Sequence, residues 1–375
     1  MRVRLSVGLL LTTAVAVFSI PPHKIPEPRV GFDPAHYVIY RPSGQIKIDG
    51  RLDEPSWQEA AWTRAFGDIE GPEKPEPRYR TVVQMLWDDE FLYIGAYLEE
   101  PHLWATLTER DAVIFYDNDF EVFIDPDGDT HEYYELEMNA LNTVWDLLLV
   151  RPYRDGGPAV HSWDIQGLRT AVDLKGTLND PADEDKAWTV EAALPHAVLK
   201  ECIPGKPPKP SNGDQWRMTF SRVEWRHKVE NGAYVKAKDP VSGQPLPEDN
   251  WTWVPQGLIN IHYPEMWGFV RFSGRTVGQG GGKFVVLPAE KVKWALRRIY
   301  YREWAEFEAR GRFSGDLSAL GLKDEGELRI RGWNYPPLIQ TTESLFEAVY
   351  SNKQGESWRI RQDGRVWKVA PETKK

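Results

Sequence analysis

The stretch 115–146 reads FYDNDFEVFIDPDGDTHEYYELEMNALNTVWD. Apolar and polar residues alternate over 118–125 and again over 132–139, which is the period of half-buried strands. Between the two runs, 125–129 (DPDGD) supplies a proline with a preset φ, a glycine and Asp side chains that bond to their own backbone, as a tight turn requires. The stretch therefore predicts a β-hairpin.

One face of this hairpin is unusually polar. If the apolar residues of both strands face the core, the opposite face presents Glu121, Phe123, Glu135, Glu137 and Asn139. Carboxylates, an amide and an aromatic ring suit a sugar, because each hydroxyl both donates and accepts and each pyranose has an apolar C–H face. The pattern predicts a sugar site, and its alternative is an outer face that is merely solvated.

The overall composition is that of a turn-rich chain with a large aromatic core. Its 375 residues include 17 Trp, 30 Gly and 29 Pro, a balance typical of all-β proteins rather than helical ones. The formal net charge of −10 argues against nucleic acid or an anionic lipid surface as partner. Cys202 is the only cysteine and cannot form an internal disulfide, so the fold must rely on its packed core.

The first residues have the layout of a secretory signal. A basic start (MRVR) precedes an apolar run over 5–20 and then Pro21 and Pro22, which predicts a signal peptide at 1–19 and a mature protein in the periplasm or outside the cell. The alternative is an uncleaved anchor, although the run is shorter than the roughly 20 residues that span a bilayer. Residues 20–36 are proline-rich and polar, and we expect a leader there rather than core.

The alternating pattern continues beyond the hairpin. Residues 79–87 and 91–98 predict a second hairpin around the turn 88–90. Later strands are predicted at 143–150, 168–173, 188–194, 216–225 and 268–272. Short strands at this spacing predict a mainly β fold, a jelly-roll or immunoglobulin-like β-sandwich over 37–275.

The C-terminal part differs in pattern. Residues 278–282 (GQGGG) mark a flexible linker within 276–287. Pro288 then opens a predicted helix with an apolar stripe, which runs to about Arg310 and stops at Gly311. Predicted strands follow, so 288–375 is expected to form a small α+β appendage. Its docking on the sandwich or on a partner protein is a hypothesis.

Several short segments occur in a specific order along the predicted sandwich. They are IKIDGRLDE at 46–54 with Trp57, LWDDEFLYI at 86–94, DFEVFID at 119–125, WTVEAALP at 188–195, and Trp267 with Gly268. Together they resemble the family 9 carbohydrate-binding modules over about 37–272. The resemblance implies a jelly-roll-like sandwich, frequently with structural calcium, that holds one or two sugar units between aromatic rings and accompanies polysaccharide hydrolases without being catalytic.

The resemblance also implies a set of sugar contacts. The predicted residues are Phe115, Glu121, Glu137, Asn139, Arg222, Glu224, Trp251 and Trp253. The sugar would stack on Phe115 and on one of the two tryptophans, while Glu121, Glu137 and Asn139 would bond its hydroxyls. Phe115 stands where binding members carry Trp, and Glu137 stands where a basic group would help hold a hydroxyl.

Alternative interpretations exist for part of this set. Alternation places Arg222 and Glu224 on the face that carries Met218 and Phe220, at the edge of the core. Trp251 and Trp253 share a strand face, and rim packing of the sandwich is the alternative to an exposed wall.

The sequence also offers residues for calcium binding, glycoside hydrolysis and haem binding. Asp125, Asp127 and Asp129 are weak calcium candidates, because the loop is not an EF-hand and turn chemistry is the favoured explanation for them. Glu121 and Glu137 form a conceivable glycosidase pair that nothing selects. Haem is disfavoured because no Cys-x-x-Cys-His motif occurs.

The predicted function is therefore non-catalytic carbohydrate binding by an exported module that supports glucan or xylan breakdown. No cofactor is required, and structural calcium is allowed by the resemblance. A glycoside hydrolase or an envelope protein is the expected partner of the C-terminal region. The alternative is a degenerate sandwich that serves as a structural or protein-interaction module of the cell envelope.

Overall fold

The computed structural model describes residues 24–203, 209–281, 283–323 and 326–371. The predicted signal peptide at 1–19 and the first residues of the leader lie outside the described residues. Among the described helices, none is both long enough and apolar enough to cross a membrane.

The helices and strands follow one another in chain order. The elements are β1 (His36–Arg41), α1 (Pro55–Glu59), β2 (Gly67–Asp68), β3 (Thr81–Trp87), β4 (Phe91–Glu99), β5 (Asp119–Asp125), β6 (Tyr133–Asn139), β7 (Val144–Leu149), β8 (Ala159–Val160), β9 (Arg169–Lys175), β10 (Ala187–Pro195), α2 (His196–Leu199), β11 (Gln215–Glu224), β12 (His227–Glu230), β13 (Ala233–Lys236), β14 (Asp249–Thr252), β15 (Gly268–Thr276), α3 (Pro288–Arg310), β16 (Leu338–Thr341), β17 (Phe346–Ser351), β18 (Ser357–Arg361) and β19 (Val366–Val369).

The main unit is a β-sandwich of two layers. The first layer runs in the order β8-β7-β6-β5-β11-β15-β1, with β14 paired to β11 and β2 paired to β14, and the second runs β1-β3-β4-β10-β9. Strand β1 belongs to both layers: it pairs in parallel with β15, and its Tyr40 lies opposite Leu86 of β3. The prediction of a mainly β sandwich with a small α+β appendage is confirmed.

Alternate residues of the facing strands build the core between the layers. Phe120, Val122 and Ile124 of β5 are buried there beside Leu136 and Met138 of β6, as the alternation predicted. Burial of each such side chain contributes about 1.5–3 kcal/mol. Trp87, Trp188 and Trp216 are buried in the same core. The opposite faces of β5 and β6 therefore point away from this core.

The C-terminal appendage is helix α3 packed on the sheet β16–β19. The helix begins at Pro288, and Gly311 ends it in the left-handed region (φ 69°), where its N–H donates to the Phe307 carbonyl at 2.7 Å. Val292, Leu296 and the other residues of its apolar stripe form a second core with the sheet. The predicted helix is confirmed.

Buried polar contacts join the appendage to the sandwich. Arg154 donates to Glu265 at 2.9 Å, and the hydroxyl of Tyr301 on α3 donates to the same carboxylate. Tyr300 donates to Asp155 in the same way. Because these buried donors and acceptors are paired with one another, they hold the appendage against the loops that precede β8 and β15.

The leader was expected to be linker rather than core, and the structure corrects this for its described part. Ile25 is buried in the second core, and the Phe32 ring stacks on Trp294 with 4.4 Å between centroids. The hydroxyl of Tyr263 donates to the Pro26 carbonyl at 3.0 Å. This proline-rich segment therefore packs along α3, because its few apolar side chains are buried against the second core.

Candidate functional site

A cavity of about 360 Å³ lies on the outer face of the first layer. Strands β5, β6 and β7 form its floor, and the segments around Tyr153 and 259–262 form its sides. Four carboxylates line it: Glu121, Glu135, Glu137 and Glu248. Four aromatic or heteroaromatic rings also line it: Phe115, Trp145, Tyr153 and His262.

Strand register explains why these side chains meet. Glu121 of β5 lies directly opposite Glu137 of β6, which lies opposite Trp145 of β7. Glu135 is two residues before Glu137 on the same face, opposite Phe123. Residues at equal level on paired strands place their Cβ atoms about 4.5–5.5 Å apart. The polar face predicted from alternation is therefore real.

This face is covered, although it lies outside the main core. Glu121, Glu135 and Glu137 are only 6%, 5% and 1% exposed. The loop residues Ile259, Asn260 and Ile261 line the cavity beside these carboxylates. The alternative of a merely solvated face is excluded, because a solvated carboxylate would retain most of its accessible surface.

Burial changes the protonation of the carboxylates. It raises the pKa of Glu121 to about 7, and burial together with the neighbouring Glu121 raises the pKa of Glu135 to about 8. The pKa values of Glu137 and Asp119 rise well above the usual range, first through burial and then through the negative charge of nearby carboxylates. Near neutral pH the cluster therefore holds protons that exposed glutamates would have lost.

This protonation predicts how stability depends on pH. The folded protein holds the Glu135 proton up to about pH 8, whereas the unfolded chain releases it near pH 4.5. The stability that the protonated group provides is complete below the unfolded pKa and is lost as pH rises through the folded pKa. We expect Glu135→Gln to match the natural protein at about pH 4 and to exceed its free energy of unfolding by about 4 kcal/mol at pH 8, because each unit of pKa difference corresponds to about 1.4 kcal/mol.

Guanidinium unfolding at the two pH values measures this difference, with the exposed Glu109→Gln as control. Equal stability of Glu135→Gln and the natural protein at pH 8 would contradict the raised pKa.

The aromatic side of the cavity is fixed by neighbouring hydrogen bonds. Phe115 sits half-buried on a short 3₁₀ turn, where its backbone N–H donates to Glu137 at 3.2 Å. The His262 ring contacts the Tyr133 hydroxyl at 2.8 Å, and burial lowers the pKa of His262 to about 3. His262 is therefore a neutral ring and adds no positive charge to the cavity.

Asn139 does not reach the cavity. Its Nδ2 donates to the Leu107 carbonyl at 2.8 Å and to Asp117 at 3.0 Å, while its Oδ1 accepts from the backbone N–H groups of Leu141 and Thr143. The side chain thus holds the turn after β6. Its predicted role as a sugar ligand is corrected, because no amide atom is left to face a hydroxyl.

Arg222 and Glu224 also lie elsewhere, at the edge of the main core. Arg222 donates to Glu224 and to Glu100, both at 2.8 Å, and to the Glu99 carbonyl at 2.8 Å. All three charged side chains are fully buried. The alternation argument that placed this pair at the core edge was correct, and the sugar-contact assignment is corrected.

Trp251 and Trp253 share a face, and that face points inward. Trp253 packs on Phe220 with 5.8 Å between centroids, and Trp251 meets Tyr79 edge-on at 6.1 Å. Both indoles belong to the main core. The structure therefore corrects the prediction of an exposed aromatic wall, since neither ring has a free surface on which a sugar can stack.

Carboxylates of the Asp125–Asp127–Asp129 turn are bonded to backbone N–H groups of the turn and to the appendage. Asp125 accepts from the N–H groups of Gly128 and Thr130, and Asp129 pairs with Arg365 at 2.8 Å. The three residues still offer carboxylate oxygens within 4.8 Å of one another. Because Arg365 already supplies a positive charge, turn chemistry and docking account for these residues, and we assign no metal to them.

Sequence reasoning missed several cavity residues. Glu135 was placed on the correct face but not among the ligands, and its burial shows that it belongs with Glu121 and Glu137. Trp145 could have been found from the sequence, because it shares a strand face with Leu147 on a predicted strand beside the hairpin. Tyr153 and His262 come from irregular segments whose place depends on distant packing, so no local pattern predicted them.

Comparison with known proteins finds a family model that matches part of the chain. Residues 48–206 match the model of the family described as carbohydrate family 9 binding domain-like. Among curated proteins, none matches the chain.

Three solved structures match part of the chain at low sequence identity. Two are family 9 carbohydrate-binding modules from Caldicellulosiruptor kristjanssonii, in complex with cellotriose (17% identity, TM-score 0.39) and with glucose (16% identity, TM-score 0.40), each covering 66% of this chain and 100% of the module. A third is a Bacteroides uniformis protein whose carbohydrate binding is itself a provisional assignment (14% identity, TM-score 0.46, 64% and 100% covered). The segment 48–206, which carries the hairpin β5–β6 and three of the four cavity carboxylates, is therefore similar to the carbohydrate family 9 binding domain-like family.

Proposed function

We propose that the cavity over β5, β6 and β7 binds carbohydrate without catalysing its cleavage. The carrying observation is the convergence of Glu121, Glu137, Phe115 and Trp145 in one cavity of about 360 Å³ within the family segment. That volume is in the range of small-molecule sites, which are roughly 300–1,000 Å³. Polar acceptors on the floor and rings at the side are the two features that a pyranose needs.

The groups of the cavity have defined roles in this proposal. Phe115 would cover one C–H face of the sugar, and Glu121 and Glu137 would accept hydrogen bonds from hydroxyls. The indole N–H of Trp145 is buried without a hydrogen-bond partner and would donate to a ring or hydroxyl oxygen. Because sugar hydroxyls exchange water for protein at little net gain, affinity should be on the order of micromolar to millimolar.

A binding role accounts for the carboxylates better than catalysis does. A glycosidase places its two carboxyl groups on either side of the scissile bond. Glu121 and Glu137 instead rise from adjacent positions of one sheet face, so a sugar would lie above both of them. Within the described residues, the C-terminal appendage contributes nothing to the cavity lining, which leaves the mouth free for a ligand.

The wider role remains part of the proposal. We infer that the domain is exported and supports breakdown of a polysaccharide such as glucan or xylan. Its appendage, which contributes no described residue to the cavity lining, would contact a glycoside hydrolase or an envelope protein.

Substitution of Phe115 tests the proposal. We expect Phe115→Ala to raise the dissociation constant of a bound oligosaccharide about tenfold, because loss of ring stacking removes about 1.4 kcal/mol of binding free energy. Calorimetric titration with cello- and xylo-oligosaccharides measures the affinity. Tyr116→Ala is the matched control, since its neighbouring ring is more than half exposed and does not line the cavity. Equal affinity of the two variants, or no binding of any oligosaccharide by the folded natural protein, would reject the proposed site.

A further inference from the structure

The charge of the cavity is unusual for a neutral sugar. Its lining contains four glutamates, and none of the described lining residues is Lys or Arg. Two cations of neighbouring segments are engaged by other groups: Arg154 pairs with Glu265, and the Lys236 ammonium lies 3.2 Å from the centroid of the Trp225 ring. A buried carboxylate group without a cation is costly, and here only protons offset that cost.

The spacing of the carboxylates fits a compact cation. Asp119, Glu121 and Glu137 each offer an oxygen, and these oxygens lie within 4.8 Å of one another. An ammonium group that donates three charge-assisted hydrogen bonds of about 2.8 Å holds its acceptors about 4.6 Å apart. Glu121 and Glu137 line the cavity, and Asp119 is fully buried beside them. The cluster at the cavity floor therefore holds its acceptors at the distance that one ammonium requires.

Two further groups in the cavity lack partners. Glu135 is 5% exposed, and its Oε2 atom has no hydrogen-bond partner in the described structure. The Trp145 indole N–H is likewise buried and unpaired. Buried polar atoms are rarely left unsatisfied, and both atoms border the same space. Glu135 could therefore accept a hydrogen bond from a ligand, and the Trp145 indole could donate one to it.

We propose that the ligand is a sugar that carries a free, protonated amine, that is, a hexosamine unit or its oligosaccharide. The ammonium would lie between Glu121 and Glu137, and the ring would rest against Phe115. This inference rests on the proposed carbohydrate function and names its substrate class.

The rings distinguish this ligand from a bare metal ion. A hydrated or carboxylate-bound metal gains nothing from aromatic walls, whereas an amino sugar uses Phe115 and Trp145 for its C–H faces and its charge. Acidic sugars are disfavoured, because a uronate would bring another negative charge to the glutamates. Neutral sugars would leave the cluster uncompensated.

Binding of a cation should release protons from the protein. At pH 6 the cavity carboxyls are largely protonated, because burial holds the pKa of Glu121 and of Glu135 at about 7 and about 8. An ammonium placed among them favours their ionised forms, so protons leave as the ligand enters. Neutral sugars would release none.

Calorimetry on the predicted mature protein, residues 20–375, tests this at pH 6 in two buffers of different ionisation enthalpy. The probes are glucosamine oligosaccharides, their N-acetylated counterparts and cello-oligosaccharides. We expect the free-amine series to bind at least tenfold more tightly than the other two, with proton release that they lack. Glu137→Gln and Glu121→Gln should each remove this preference, whereas Glu109→Gln, an exposed glutamate outside the cavity, should keep it.

The outcomes separate the two proposals. Equal affinity for amine-bearing and acetylated sugars would overturn the amino-sugar inference and leave carbohydrate binding intact. No binding of any sugar would reject the proposed function itself. Calcium added alone is the remaining arm: tight calcium binding that abolishes amine binding would show that the carboxylates form a metal site and would overturn the inference.

Discussion

Replacing Arg222 with methionine should lower the free energy of unfolding by about 3–5 kcal/mol, because two buried carboxylates would lose the cation between them. Arg222, Glu100 and Glu224 have almost no exposed side-chain surface. Burial, followed by the charge of Glu100, already raises the pKa of Glu224 well above its usual range, and the Arg222 guanidinium counteracts this rise. Methionine would fill much of the space without supplying either charge or donors.

Denaturant unfolding at pH 7 measures this loss. Arg226→Met is the matched control, since Arg226 pairs with Asp249 at 3.1 Å while half of its side chain is exposed to solvent. Such exposed pairs are worth about 0–1 kcal/mol. Equal losses in the two variants would show that the buried cluster does not stabilise the sandwich.

Truncation of Trp253 should have an effect of similar size. Trp253→Ala removes a ring that is 1% exposed, and large-to-small changes of this kind cost about 3–5 kcal/mol. The ring lies against Gly268, where an added Cβ would be 2.4 Å from it. Glycine is therefore needed at that position for the indole to reach the core.

The same unfolding experiment checks this prediction, with Trp62→Ala as control because the Trp62 ring is 41% exposed. A loss below about 1 kcal/mol for Trp253→Ala would contradict its core assignment. The prediction also bears on binding studies: reduced sugar binding in this variant would reflect unfolding. Phe115→Ala is the informative change.

Local alternation was sufficient to predict the hairpin β5–β6 and which of its residues share a face. Side-chain period and turn chemistry act over a few residues, so Glu121 and Glu137 could be paired from the sequence. The same rule assigned Trp251 and Trp253 to one face. It could not say which face is buried, because both faces of this layer are covered, one by the second layer and the other by loops.

Polar residues were harder to assign than apolar ones. Asn139 and Arg222 have the donors that a sugar site needs, yet each is consumed by groups that folding itself buries. The N–H and carbonyl groups of a buried turn need hydrogen-bond partners. A nearby side-chain amide can supply these partners, and the same amide could equally bind a sugar hydroxyl. Only the three-dimensional partners of a side chain distinguish these uses.

Strand β1 has a consequence for how the chain is made. His36–Arg41 finds its main partner in Gly268–Thr276, so the strand that joins the two layers must wait until almost the whole sandwich has left the ribosome. At about 5–20 residues per second the delay is roughly 10–50 s. During that interval the edges that β1 will cover stay open to other chains. Early arrest of synthesis should therefore yield an aggregation-prone product, and completion of β15 is the step that closes the sheet.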